Sequence, residues 1–347
     1  WKSARRFGVF LALNATASVL IALFVATVFR PGDWMKGLGA GGMQNPAGVD
    51  PSVAFQASAL SLEKILKNLL PASLIEPLAS NSITGIAIVA LLLGLALRGA
   101  AQIPEAQAGV SVIADIAHAL LKATEKGMSW IIRWVPLAVF AVLARTVGEK
   151  GLAPLTGLAA YVIAILLALL LHIGIVYQGW IRIFSRMPLR EFWRKARDPV
   201  AFAMGASSSL ATLPVTLKAL DHDFKVGKTS SRLVACVGTN LNNDGILLYE
   251  ALAMLIVAQA YGIDLSYSQQ LLAVGTCWIA AVGIGGIPDA GLISLSVVLA
   301  TVGLPLEVLP LLLAVDWILS RARAMTNVLC DLTGSIALDR WPAGGKA

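Results

Sequence analysis

Residues 237–251 read VGTNLNNDGILLYEA and place Asn240, Asn242, Asn243 and Asp244, followed by Gly245, inside an otherwise apolar run. Three carboxamides and a carboxylate offer hard oxygens, the ligand type that suits Na⁺ and similar cations. The flanking stretches, SRLVACV before and ILLYEALAMLIVAQAYG after, are helix-like. Each is too short to cross a bilayer alone, since a span takes about twenty residues. Polar groups at bilayer depth are costly unless they face a cavity or bind something. Non-helical backbone is tolerated there only where protein or an aqueous pocket satisfies it. The segment predicts a broken helix whose freed carbonyls and side-chain oxygens hold a cation near the membrane midplane.

A second polar set lies on residues 306–338, where Asp316, Ser320, Arg323, Asn327 and Asp331 recur every three or four positions. On a helix they fall along one face, with Arg321 pointing nearly opposite Arg323 toward packing or an ion pair elsewhere. A guanidinium fork is the natural partner of a carboxylate. Asn327 and Asp331 add oxygens suited to Na⁺. The stripe by itself also fits an intrahelical ion-pair ladder; beside a broken helix, intramembrane charge reads as function.

The elements that must position these residues are membrane helices. Of 347 residues 57% are hydrophobic and 14% charged, mean hydropathy is +0.78, and soluble domains run nearer about a quarter charged. Long apolar runs without period-two alternation exclude a barrel. The formal charge of +7 does not point to nucleic acid. Basic residues cluster in short loops, above all Arg182, Arg186, Arg190, Arg194, Lys195 and Arg197, and set a cytoplasmic face. Cys236, Cys277 and Cys330 lie in apolar segments and read as packing residues, neither a disulfide framework nor a metal site. His118, His172 and His222 are scattered and form no ligand constellation. The serine cluster 207–209 has no histidine in any motif to serve as base, which argues against an enzyme.

Along the chain, 7–29 is one spanning helix and 31–50 a Gly/Pro-rich loop. Residues 52–80 are amphipathic, 83–97 a short apolar run, 105–146 a long helix kinked at Pro136, and 158–177 a clean span. Residues 199–220 form an apolar run interrupted by Ser207, Ser208 and Ser209. Residues 271–282 and 292–303 are two apolar limbs joined by GIGGIPDAG, each too short to span. Both regions predict re-entrant hairpins flanking the broken helix, hence an inverted repeat with the site where the tips meet. One kinked spanning helix per segment is the alternative.

Four motifs, ASSSLATLP (206–214), GTNLNNDGILLYEA (238–251), GIGGIPDAGLISLSVVLATVGLP (283–305) and VDWILSRARAMTNVLCDLTG (315–334), together resemble the glutamate transporter and dicarboxylate/amino acid:cation symporter family in wording, order and spacing. The resemblance implies an all-α polytopic membrane protein with a glutamate-transporter-like fold: two re-entrant helical hairpins, a broken helix, inverted repeats and an elevator motion. It implies a homotrimer in the cell (inner or plasma) membrane, in contact with lipid and not with nucleic acid. Residues 1–32 would be the first helix present, part of the transport domain, with two earlier family helices missing. Residues 33–150 would be the scaffold and trimerisation domain. Residues 151–347 would complete the transport domain: helix 152–183, hairpin 199–220, broken helix 227–261, hairpin 268–304 and last helix 306–340.

By the same resemblance Ser208 and Ser209 present backbone and hydroxyl groups to a substrate carboxylate, Ile287 and Gly291 close over it, Arg323 holds the distal carboxylate, and Asn327 contacts substrate. The Asn327 carbonyl shares a sodium with Asp331, Gly238 and Asn242. Carbonyls of Asn240, Ala281, Val282 and Ile284 match a second sodium site, and Asn242 and Asp244 part of a third. The coupling ion is Na⁺, two or three per cycle.

The departures point to the substrate. Ser320 stands where members that carry acidic amino acids have an aspartate for the ammonium, and Ala324 replaces a threonine; members that carry C4-dicarboxylates resemble this sequence at both positions. A buried ammonium without its counter-charge is strongly disfavoured, which a substrate lacking an amino group avoids. The expectation is sodium-coupled symport of a dicarboxylate such as succinate, fumarate or malate. The alternatives are sodium- or proton-coupled symport of glutamate or aspartate, and an anion channel on the same fold. Asn243 and Ile246 replace a methionine and a threonine around Asp244. Leu11, Asn14 and Ala15 align with a tyrosine, a threonine and a serine, so a third sodium binds differently or not at all. Asp289 is either a solvated tip carboxylate or an added cation or proton site.

Overall fold

The computed structural model describes residues 2–35, 75, 83–134, 137, 140, 141, 144, 145, 147, 148, 151, 153–263, 265, 266, 270, 273–275, 277, 278 and 290–341. Helix α1 (Lys2–Phe29) buries Phe7, Phe10, Asn14, Ser18, Ala22, Val25 and Ala26, a repeat of three and four residues that forms one helical face. Its other face exposes Val9, Leu13, Leu20, Phe24 and Val28, an apolar exterior that suits lipid. The helix ends at Arg30, in left-handed backbone at φ 42°, and Pro31.

Two compact units emerge, Ser52–Ala144 and the remainder of the chain. In the first, α2 (Ile83–Ala100) and α3 (Gln107–Ile132) are joined by a short turn at Pro104–Ala106. The second unit carries α1 and all the elements that follow.

Helix α4 (Ala153–Leu171) carries no charge. It continues through a π-helical turn at His172–Tyr177, a short stretch at Gln178–Trp180 and a second π turn at Ile181–Ser185. Among the described residues, Ser3–Phe29 and Thr156–Ser185 are long and apolar enough to cross a membrane. Helix α5 (Leu189–Ala206) is amphipathic: Phe192, Ala196, Pro199 and Ala203 face inward while Arg190, Arg194 and Arg197 face out. It stops at Ser207, left-handed at φ 52°, and α6 (Ser209–Lys218) begins at once, packed on α5.

The broken helix is present. Lys228–Ser231, a π turn at Arg232–Val237 and a 3₁₀ turn at Gly238–Asn240 lead to an interruption at 241–243, after which α7 (Asp244–Ala260) starts. Apart from Ile246 and Gln259, every residue of α7 is buried, as expected of a helix that is apolar on all sides. It packs against α1, α4, α8 (Ala290–Thr301) and α9 (Leu309–Arg340), and so forms the centre of the unit. The first limb of the expected second hairpin, 271–282, is described only in part, and residues 283–289 of its tip lie outside the described residues.

Candidate functional site

The break in front of α7 is clamped by α9. Asn327 donates from Nδ2 to Asn243 Oδ1 at 3.2 Å and accepts at Oδ1 from the Gly245 backbone N–H at 2.9 Å. One carboxamide thus bridges both sides of the α7 N-terminus. Gly245 permits the approach: a Cβ there would lie 2.8 Å from the Arg323 carbonyl and 2.9 Å from Asn327 Oδ1. One turn further along α9, Asp331 accepts from Thr239 Oγ1 at 3.3 Å.

Asp331 Oδ1 and both polar atoms of the Asn242 carboxamide are buried without a hydrogen-bond partner among the described residues. Unpaired buried polar atoms are costly, and a dehydrated cation is the partner that would satisfy the oxygens. Gly238 stands differently. Its carbonyl accepts from the N–H groups of Leu241 at 2.7 Å and Asn242 at 2.6 Å, which takes both of its lone pairs in this conformation.

Arg323 is buried, 3% exposed, and is gripped from three directions. Its Nη1 and Nη2 donate to the two oxygens of Asp316 at 2.6 and 3.0 Å. Its Cζ lies 4.1 Å from the centroid of the Tyr249 ring, within cation–π range. Over one face of the guanidinium stands Gly291, where a Cβ would fall 2.8 Å from Cζ and from Nη2. The fork to Asp316 uses two of five guanidinium donors, so three are left for a second carboxylate.

A third group surrounds Asp244. Its Oδ2 lies 2.9 Å from Cys330 Sγ, 3.2 Å from the Tyr177 hydroxyl and 3.4 Å from His172 Nε2. The π turn explains how His172 and Tyr177 reach the same point. Its wider pitch stacks residues i and i+5, and the two rings meet edge-to-face at 4.8 Å. Behind them Trp180 Nε1 donates to Asn14 Oδ1 at 2.9 Å, and Asn14 Nδ2 points to Cys330 Sγ at 3.6 Å.

The comparison with known families decides what kind of site this is. A family model described as the sodium:dicarboxylate symporter family matches residues 2–341. The chain belongs to that family. The sodium:dicarboxylate symporter family is one of membrane transporters, not of enzymes. A relative named C4-dicarboxylate transport protein, from Laribacter hongkongensis, is 29% identical over 331 residues, 94% of this chain and 72% of that protein. The excitatory amino acid transporter 1 of Ambystoma tigrinum is 36% identical over 233 residues, 64% of this chain and 41% of that protein. The excitatory amino acid transporter 1 of Mus musculus is 37% identical over 218 residues, 59% of this chain and 38% of that protein. The matched segment therefore spans about two fifths of the two animal relatives.

In this symporter-family chain the expected residues fall into distinct groups. Arg323 and Gly291 meet, with Asp316 and Tyr249 completing the cage. Asn327, Asn243 and Gly245 form the clamp, and Asp331 is tied to Thr239. Ser320 is buried and donates to the Trp317 carbonyl at 3.3 Å. Ser208 caps α6, accepting from the Ala211 N–H at 3.1 Å, and Ser209 opens the helix, whose first-turn N–H groups suit an anion. The Asn240 backbone closes the 3₁₀ turn before the break. Ala281, Val282, Ile284, Ile287 and Asp289 lie outside the described residues. Arg321 donates to the Trp317 carbonyl and stacks 5.6 Å over that ring, so it packs against its own helix.

Several contributors escape a reading of the sequence. Cys330 donates to Asp244 and so does more than pack, and His172, distant from the motifs in sequence, lies beside the same carboxylate. Glu250 is a further contributor: it is fully buried in α7, with the Ser294 hydroxyl and the Arg323 guanidinium as its polar neighbours. Its signal was present as a lone carboxylate inside an apolar run.

Proposed function

We propose that this chain carries out sodium-coupled symport of a dicarboxylate of the succinate, fumarate or malate type. Arg323 is the observation that carries the reading. It is a buried guanidinium held rigid by Asp316 and Tyr249 with donors to spare, which is what recognition of a carboxylate in a dry site requires. Because Asp316 already balances its charge, a di-acid brings surplus negative charge into the membrane core. Cations taken up together with it offset that charge, and the unpaired oxygens of Asn242 and Asp331 are where one of them binds.

The neutral Ser320 beside the clamp supports a substrate without an ammonium group. The α6 N-terminus at Ser208 and Ser209 would take the second carboxylate, and the tip carrying Ile287 would close over it. Carbonyls of Asn240, Ala281, Val282 and Ile284 would hold a further sodium. We infer a homotrimer whose hairpins are re-entrant and whose transport domain moves as an elevator in the cell membrane, as the family resemblance implies.

The test is uptake by the reconstituted protein with sodium, proton and voltage gradients imposed one at a time. Sodium-driven succinate accumulation that exceeds that of aspartate is expected. Aspartate uptake clearly ahead of succinate would refute the substrate, and uptake that ignores sodium but follows pH would refute the ion. A second reading, symport of an acidic amino acid, is favoured by the 36% identity to the excitatory amino acid transporter 1 of Ambystoma tigrinum.

A further inference from the structure

The family resemblance makes Asp244 part of a third sodium site, but two of the groups at its Oδ2 are donors, Cys330 and Tyr177. Cys330, Tyr177 and His172 all converge on Oδ2. An oxygen offers two lone pairs, so the Cys330 and Tyr177 donors already fill it. The orientation of Asn14 is fixed as well. The Trp180 indole nitrogen can only donate, so it requires the Asn14 oxygen at 2.9 Å. That turns the Asn14 Nδ2 hydrogens inward, to Cys330. A flipped carboxamide would set N–H against N–H at Trp180, so the amide cannot present its oxygen to the cluster. Ala15, the next residue, has no side-chain oxygen at all.

The chain Trp180 to Asn14 to Cys330 to Asp244 runs donor to acceptor in one direction, which strengthens each bond in it. Asn14, His172, Tyr177 and Cys330 are all fully buried, and Asp244 is 4% exposed. A cation placed at Oδ2 would face the Cys330 and Tyr177 hydrogens where it needs lone pairs. The contrast lies a few residues away, where Asp331 takes the Thr239 hydroxyl on Oδ2 while its Oδ1 and the Asn242 Oδ1 stand buried without a hydrogen-bond donor in bonding geometry among the described residues.

We propose that Asp244 is a hydrogen-bonded anchor that ties α7 to α1, α9 and the π turn after α4, and is not a cation ligand, so that each substrate travels with two sodium ions and not three. This inference rests on the sodium-coupled reading above. The anchor also has a mechanical use: it fixes the first residue of α7 while Asn242, two residues earlier, remains available to an ion.

The test is the sodium dependence of succinate affinity in the purified protein, read as the slope of log affinity against log sodium concentration, together with the ratio of labelled sodium to succinate flux in vesicles. A slope and a ratio of two are expected. A value of three overturns the anchor assignment while leaving sodium coupling intact. A slope of zero overturns sodium coupling, and the ion count falls with it. Tyr177→Phe removes one donor; it is expected to lower the melting temperature and leave the slope at two. A slope that drops to one in that variant would show the cluster to be an ion site. Cys330→Ser keeps a donor at the same place and gives the same reading if Tyr177→Phe does not fold.

Discussion

Gly291 and Arg323 touch so closely that the glycine defines where the guanidinium sits: a Cβ on Gly291 would lie 2.8 Å from Cζ and 3.0 Å from Nε. A methyl at that distance is well inside van der Waals contact, so either the α8 N-terminus or the arginine must move. Arg323 is the less free of the two to adjust, because Asp316 and Tyr249 hold it. Gly291→Ala is therefore expected to weaken succinate affinity at least tenfold, about 1.4 kcal/mol, with little loss of thermal stability. Affinity within threefold of the unmodified protein would show that the tip yields freely.

Asp316 and Arg323 form a buried ion pair, and removing one partner of such a pair costs about 3–5 kcal/mol because the other is left uncompensated. Asp316→Ala should consequently lower the melting temperature sharply. Asp316→Leu combined with Arg323→Met should recover most of that stability, since well-packed apolar replacements of a buried pair are often neutral, yet transport should be absent. A double variant as unstable as the single one would mean that the pair is not what holds this part of α9.

The broken helix and the α9 stripe were legible because both are violations of composition: amides and charges at helical spacing inside lipid-compatible sequence have few meanings. The ladder that the spacing left open is present, for Asp316 pairs with Arg323 within one helix, and three guanidinium donors remain beyond that pair. The Asp244 cluster was not legible. Helical periodicity assumes about 3.6 residues per turn, which puts His172 and Tyr177 on different faces; only the π turn aligns them. Trp180 and Asn14 meet across 166 positions of chain, and a single sequence carries no sign of that pairing. Glu250 escaped for a different reason, since one carboxylate in an apolar run has no spacing to betray its partners.

Gly245 carries the clamp. Its N–H is bonded to Asn327, and the space of its missing side chain is filled by the Arg323 carbonyl, Asn327 Oδ1 and Thr326. Gly245→Ala overpacks this junction, a change that costs about 1–3 kcal/mol in a tight core. It also pries α9 from the break. We expect a lower melting temperature together with a sodium affinity reduced severalfold, measured by sodium-dependent thermal stabilisation. A loss of stability with sodium affinity unchanged would separate the clamp from the ion site.

Ser320 lies one turn before Arg323 on the buried face of α9, with its hydroxyl bonded to the Trp317 carbonyl within its own helix. A carboxylate there would gain two possible partners, the ammonium of an amino acid substrate or Arg323 itself. The second would take donors that Asp316 leaves for the substrate carboxylate, and only the first favours an amino acid over a di-acid. Ser320→Asp is thus expected to raise the ratio of aspartate to succinate uptake at least tenfold, the factor that about 1.4 kcal/mol supplies. Competition by unlabelled aspartate against labelled succinate reads this directly. If both substrates lose affinity equally, the new carboxylate has seized the arginine. If the ratio stays put while both are still carried, Ser320 does not face the substrate and the assignment of a dicarboxylate loses its structural support.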